Sequence, residues 1–216
     1  MDEYQWLENE NSNKTKAWIQ KQNSFTDSYF RRIPFRKKIE KRLKELWDYP
    51  TQSLPFIKGD KKYFYKNSGL QNQSVLYVKE NVDTPDSLAS IVIDPNTFSE
   101  DGTVALRGIY FSEDYKTASY MITEGGSDWR KAITIRVDDK SIVEDTLKNI
   151  KFSGISWKGN DGYFYSSYKV PKGESQLSSK TQLHTVYYHK VGTPQSEDVF
   201  IFGGHKQPNR YVSAYV

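Results

Sequence analysis

The stretch Lys151–Tyr168, Lys-Phe-Ser-Gly-Ile-Ser-Trp-Lys-Gly-Asn-Asp-Gly-Tyr-Phe-Tyr-Ser-Ser-Tyr, constrains the fold of this chain more than any other. It reads as strand, turn, strand. Phe152, Ile155 and Trp157 lie in the first run, and Tyr163-Phe164-Tyr165 opens the second. Between them, Gly159-Asn160-Asp161-Gly162 is turn chemistry, because Gly and Asn tolerate the positive φ of a tight hairpin. The same device occurs earlier: Ile109-Tyr110-Phe111-Ser112, then Glu113-Asp114, then Thr117–Met121. Phe111-Ser112 and Phe152-Ser153 stand 41 residues apart (152 − 111). A strand–turn–strand unit recurring at such an interval is what four-stranded propeller blades produce.

The rest of the chain extends this pattern after an unlike beginning. Up to Pro50 the periodicity is helical. Ser12 is placed to cap a helix over about Lys14–Phe30, and Arg36–Asp48 carries Ile39, Leu43, Leu46 and Trp47 at amphipathic spacing. The other face of that second helix holds Lys37, Lys38, Lys41, Arg42 and Lys44. Glu40 and Glu45 interleave and no stacking aromatics line the face, so it reads as a solvated surface. From Phe56 onward short strands follow one another: Lys62–Lys66, Ser74–Val78, Leu88–Ile93, Val104–Phe111, Thr117–Thr123, Lys131–Val137, the Lys151–Tyr168 hairpin, Thr185–Lys190 and Val199–Phe202. Turn signals separate them and no helical pattern intervenes, which argues for an antiparallel, propeller-like β architecture. Lys169–Thr181 reads as the longest loop, and Arg210–Val216 as the start of a further strand without a partner. A native domain rarely leaves such a strand unpaired, so the chain is expected to be a fragment.

Composition excludes several functions. Aromatics make up 15% of 216 residues, with 16 Tyr and 11 Phe, which favours strands. Mean hydropathy is −0.78 and no apolar run nears the roughly 18 residues of a membrane span. Cysteine is absent, so disulfides, thiol nucleophiles and thiolate metal sites are excluded. A net charge of +4 is too mild to point to nucleic acid. The beginning Met-Asp-Glu-Tyr-Gln does not read as a signal peptide. No nucleophile elbow, zinc-binding His-Glu-x-x-His, phosphate-binding loop or dinucleotide fingerprint occurs. The three histidines, His184, His189 and His205, lack the carboxylate spacing of a metal site, so no cofactor and no metal are expected.

Longer motifs carry a family resemblance. Asp2-Glu3-Tyr4-Gln5-Trp6-Leu7-Glu8, Lys14-Thr15-Lys16-Ala17-Trp18 and Ile33-Pro34-Phe35-Arg36 resemble the opening of the prolyl oligopeptidases, with Glu3 where that family usually has proline. Asn67-Ser68-Gly69-Leu70-Gln71-Asn72-Gln73-Ser74-Val75-Leu76-Tyr77-Val78 is similar to the family's most specific early stretch. Ile93-Asp94-Pro95-Asn96, Ser99-Glu100-Asp101-Gly102-Thr103, Gly126-Ser127-Asp128-Trp129, Ile150-Lys151-Phe152-Ser153 and Gly192–Asp198 continue the likeness in order, over essentially the whole chain.

That resemblance implies a mainly β fold: about the first three blades of a seven-bladed β-propeller, preceded by an N-terminal α-helical segment. It maps residues 1–52 to the helical segment, which packs with an α/β-hydrolase catalytic domain, and residues 53–216 to the propeller. It implies a serine-type endopeptidase that cleaves short peptides after proline, with the propeller gating access. Its Ser-Asp-His triad would lie beyond Val216, so this chain is expected to contain no catalytic residue and to be inactive alone. Implied partners are short proline-containing peptides and the catalytic domain, with neither nucleic acid nor membrane. The implied compartment is the cytoplasm, or the periplasm if a signal peptide precedes Met1. From the residues alone, Phe152 reads as an inter-blade core aromatic and Asp128 as a turn former. The resemblance assigns both to substrate binding: Phe152 to the distal border of the cleft and Asp128 to the charge around it. A non-catalytic β-propeller-type binding module is the alternative reading.

Overall fold

The computed structural model describes residues 2–81, 83–144, 146–171, 175–177, 179–206 and 208–216. The chain divides into two compact units, Met1–Tyr49 and Pro50–Val216. The first holds helices α1 (Asn13–Arg31) and α2 (Arg36–Trp47). Ser12 caps α1, its hydroxyl accepting the Thr15 N–H at 3.1 Å. Only Thr15 is buried in these helices, and Ile39, Leu43, Leu46 and Trp47 of α2 are all exposed.

The second unit is built from two antiparallel sheets. In the first, β1 (Thr51–Gln52) and β2 (Phe56–Lys58) both pair with β3 (Lys61–Asn67), followed by β4 (Val75–Lys79) and β5 (Ser90–Ile93). The second sheet runs without a break through seven strands. They are β6 (Val104–Phe111), β7 (Thr117–Glu124), β8 (Trp129–Arg136), β9 (Leu147–Lys158), β10 (Gly162–Ser167), β11 (Thr185–Lys190) and β12 (Val199–Gly203). It is best understood as two blades that share β9. The first part of β9 pairs with β8, Trp129 opposite Lys151 and Ala132 opposite Leu147. Its second part pairs with β10, Trp157 opposite Tyr163 and Ile155 opposite Tyr165. Between these duties the strand kinks, with Asn149 at φ 61° and Phe152 at φ 51°. The architecture is a partial propeller of three blades, not closed into a ring.

Two apolar cores hold the blades face to face. Tyr63, Leu76, Val78, Val92 and Ile93 of the first blade meet Ile109, Phe111, Ile133 and Ile135 of the second. Met121, Ala132, Leu147 and Ile150 of the second meet Trp157, Tyr163 and Tyr165 of the third. Strands of the middle blade serve both cores by alternation: Tyr120 faces one and Met121 the other, Ile133 one and Ala132 the other. That is the period-two geometry of a strand, applied to a sheet covered on both sides. Each fully buried aliphatic or aromatic side chain contributes about 1.5–3 kcal/mol.

Polar staples supplement the cores at the blade edges. Gln73 donates to the Val104 carbonyl at 2.7 Å and accepts from the Leu106 N–H at 2.9 Å, tying the first blade to β6. The hairpin turns of the next two blades also meet: Asn160 accepts the Asp114 N–H at 2.9 Å, and Glu113 accepts the Gly159 N–H at 3.1 Å.

Three expectations are corrected. The 41-residue spacing pairs positions that are not equivalent. Phe111 ends β6 opposite Ala118 at a hairpin mouth, whereas Phe152 sits at the kink of β9, well ahead of its hairpin. Gly108-Ile109 and Gly154-Ile155 are the matching positions, each leading into a hairpin. Arg210–Val216 is not a strand. It crosses the sheet through other partners: Ser166 Oγ donates to the Val212 carbonyl at 2.7 Å, and the Val216 N–H donates to Ser156 Oγ at 3.0 Å. Leu88 belongs to a 3-10 turn, Asp86–Leu88, because the strand begins only at Ser90. The long loop Lys169–Thr181 includes Lys172, Gly173, Glu174 and Ser178, which lie outside the described residues.

Among the described residues the outermost strand, β12, pairs only with β11, and it presents Val199, Phe200, Ile201 and Phe202, each at least 45% exposed. An apolar edge strand promotes pairing with another chain. The 216-residue chain is therefore expected to associate in a concentration-dependent way by analytical ultracentrifugation. Phe200→Lys with Phe202→Lys should shift it towards monomer; an unaltered distribution would place the contact elsewhere.

Candidate functional site

The turn before β8 and the kink of β9 lie side by side. Trp129 is the residue opposite Lys151, so Asp128 and Phe152 are the next positions outward on adjacent strands. The register thus brings together two residues 24 positions apart in sequence (152 − 128). Gly125 and Gly126, at φ 58° and 74°, form the turn that delivers Asp128. The Thr123 hydroxyl tightens it by donating to the Ser127 carbonyl. Asp128 itself is exposed, and its carboxylate makes no hydrogen bond or ion pair among the described residues.

Phe152 has a left-handed backbone, which for a bulky side chain costs about 1–3 kcal/mol and persists only when surroundings enforce it. The conformation turns the ring out of the inter-blade core, leaving the residue 44% exposed. Phe152 packs edge-on against Tyr211 at 5.3 Å and Tyr168 at 6.5 Å. The Lys151 ammonium lies 5.1 Å from the Phe152 ring and 5.0 Å from the Trp129 ring.

Behind this wall stands His184, buried and stacked on Tyr168 at 4.4 Å. Its Nδ1 accepts the Val212 N–H at 3.1 Å, so its Nε2 carries the hydrogen donated to the Lys151 carbonyl at 2.9 Å. Burial pushes its pKa below the ordinary imidazole value, and the bond to the Lys151 carbonyl offsets only part of that. His184 is thus a neutral support for the wall, with both nitrogens engaged. Trp129 Nε1 donates to the Gln176 carbonyl at 2.9 Å, and the Gln176 amide donates to Asn149, which ties part of the long loop to the same edge. A recess of about 400 Å³ opens beside the wall, lined by Tyr168, Lys180, Gln182, Arg210 and Tyr211 among others.

The arrangement offers exposed aromatic surface, a cation and a free carboxylate. It suits binding of a partly apolar ligand and offers no nucleophile beside a free base. Among the described residues no group of histidines and carboxylates is arranged to hold a metal ion. Tyr168, His184 and Tyr211 were not legible as members of the site. Tyr211 comes from the far end of the chain and meets Phe152 only through the crossing of the last segment.

The family model for the prolyl oligopeptidase N-terminal β-propeller domain matches residues 1–216. The chain is 48% identical over 215 residues to a prolyl endopeptidase of Elizabethkingia miricola, and 34% identical over 242 residues to prolyl oligopeptidase A of Amanita bisporigera. It is covered in full in both, and spans 30% and 31% of those proteins. Among solved structures, a prolyl endopeptidase superposes with a TM-score of 0.68 at 36% identity, covering 100% of this chain and 30% of its own. Prolyl oligopeptidase B of Galerina marginata, bound to a 35mer substrate, gives 0.80 at 26% identity over 96% of this chain and 31% of its own. The chain belongs to the prolyl oligopeptidase family and corresponds to its N-terminal β-propeller portion.

Proposed function

We propose that this chain is the substrate-admitting part of a proline-specific serine endopeptidase, which hydrolyses short peptides on the carboxyl side of proline. The observation that carries the reading is the match of the whole chain to family members that are prolyl endopeptidases, while it spans only about 30% of their length. In this reading the nucleophile and base come from an α/β-hydrolase domain outside these 216 residues. The exposed apolar face of α2, Ile39, Leu43, Leu46 and Trp47, supports a role for the helical unit in packing against that domain. Phe152 forms the distal wall for substrate residues remote from the scissile bond, and Asp128 sets the local potential. The propeller restricts entry to small peptides.

Among the described residues no serine hydroxyl is hydrogen-bonded to a histidine. His184 has both nitrogens occupied, and His189 is fully buried between two carboxylates. A serine nucleophile needs a base within hydrogen-bond reach. The purified 216-residue chain should therefore release no chromophore from a proline-containing chromogenic peptide. Activity that persists through repeated purification would overturn this.

Remote apolar contacts bind ground and transition state about equally, so their loss raises KM more than it lowers kcat. In the full-length protein, Phe152→Ala is expected to raise KM for longer peptides several-fold and to leave minimal proline substrates nearly unaffected. Stability should change by only about 1 kcal/mol, because the side chain is half-exposed. A loss of several kcal/mol with an unaltered length dependence would make Phe152 a core residue.

Asp128→Asn should leave the fold intact and alter the salt dependence of kcat/KM. The two proteins should differ most at low ionic strength and converge above about 0.5 M salt, as screening shortens the reach of the charge. Superimposable salt and pH profiles would return Asp128 to a turn former.

A further inference from the structure

The seam between the second and third blades contains a cluster of buried titratable side chains. His189, on β11, is wholly buried. Its Nδ1 lies 2.6 Å from Asp198 Oδ1, and its Nε2 lies 2.9 Å from Glu144 Oε2. The two carboxylate side chains are only 3% and 2% exposed. Glu144 comes from the connection between β8 and β9, and Asp198 from the connection just before β12. Glu144 also accepts the Gly192 N–H at 2.7 Å and the Tyr163 hydroxyl at 3.2 Å. The second oxygen of Asp198 accepts the Tyr165 hydroxyl.

The groups facing the ring are thus Glu144 and Asp198 from the two connections, and Tyr163 and Tyr165 from β10. Among the described residues, no lysine or arginine forms an ion pair with this set. Proton counting then fixes the charge. A neutral imidazole has one N–H and one lone pair. A lone pair turned on a buried carboxylate would repel it and leave that carboxylate short of a donor. With both carboxylates ionised, both short contacts are satisfied only when both nitrogens carry hydrogen.

We infer that Glu144, His189 and Asp198 form a proton-dependent clasp, which pins the β8–β9 connection of one blade to the β11–β12 turn of the next and opens when His189 loses a proton. Burial pushes His189 down, but its hydrogen bonds to Asp198 and Glu144 outweigh burial and push it up to about 9. Burial likewise pulls Glu144 up, and the donors His189, Thr134 and Gly192 outweigh it and hold the carboxyl below its ordinary value. A raised histidine contributes stability that is complete below its unfolded value of 6.5 and is lost as pH rises through about 9. A depressed glutamate contributes stability present above 4.5 and lost as pH falls. The clasp is therefore closed near pH 5–6.5, weakens through the alkaline range and opens above about 9.

The test compares the full-length protein with its His189→Gln variant from pH 6 to pH 10. Glutamine donates to one carboxylate and cannot acquire charge. The gap in Tm between the two should be widest near pH 6.5 and narrow steadily towards pH 10, while tyrosine and lysine titrations shared by both cancel. Limited proteolysis of the wild type at pH 9.5 should gain cleavage within Val191–Asp198 that is absent at pH 7. If His189→Gln does not fold, Glu144→Gln serves: with one carboxylate removed, the alkaline loss of Tm should move to lower pH. A Tm gap constant with pH, or an unmoved alkaline midpoint in Glu144→Gln, overturns the inference.

Discussion

The middle blade of this structure is buried on both faces, and that requirement organises the rest. β7 and β8 send apolar residues to both sides, Tyr120 and Ile133 to one core and Met121 and Ala132 to the other. A sheet of this kind is stable only when covered twice. The first blade supplies one cover and the third blade the other. Because both covers are sheets, their backbone edges have to be satisfied as well. Gln73 does this on one side, bonding β6 where a neighbouring strand would otherwise be needed.

β9 resolves a conflict created by the second cover. One strand has to close the middle blade and open the next, and the two blades need different strand directions. The left-handed residues Asn149 and Phe152 absorb the change. Strain of this sort survives only where packing enforces it, and here the flanking residues are among the best packed in the molecule, with Ile150 and Leu147 almost fully buried. The consequence is that an aromatic ring, facing inward in a regular strand, is turned towards the rim beside Asp128. The aromatic wall follows from the need to bend a shared strand.

The same seam carries a buried imidazolium. Charges removed from water need full compensation, and His189, Glu144 and Asp198 obtain it from each other and from two tyrosine hydroxyls. This cluster lies on the face of β11 turned into the core, whereas His184, just ahead of the same strand, is kept neutral by burial, its two nitrogens engaged by a backbone carbonyl and a backbone N–H. Two buried histidines five residues apart thus hold different charge states, because carboxylates offset the burial of one and not of the other.

Local features of this protein were determined by its sequence. Ser12 marked the start of α1, short strand-forming runs between turn signals marked β6 and β11 at their observed limits, and Gly-Asn-Asp-Gly marked the β9–β10 turn, because capping, strand-forming composition and positive φ are properties of a few consecutive residues. The strands β1 and β2 are too short for a periodicity to emerge, at two and three residues. Sequence spacing also misaligned the repeat, since Phe111 and Phe152 share a motif but not a place in the blade. Only the tertiary structure decided that Phe152 turns outward, that Tyr211 meets it, and that His189 lies between two carboxylates from separate connections. Each of those outcomes depends on register and on chain crossings between residues far apart, and no local pattern of side chains encodes them.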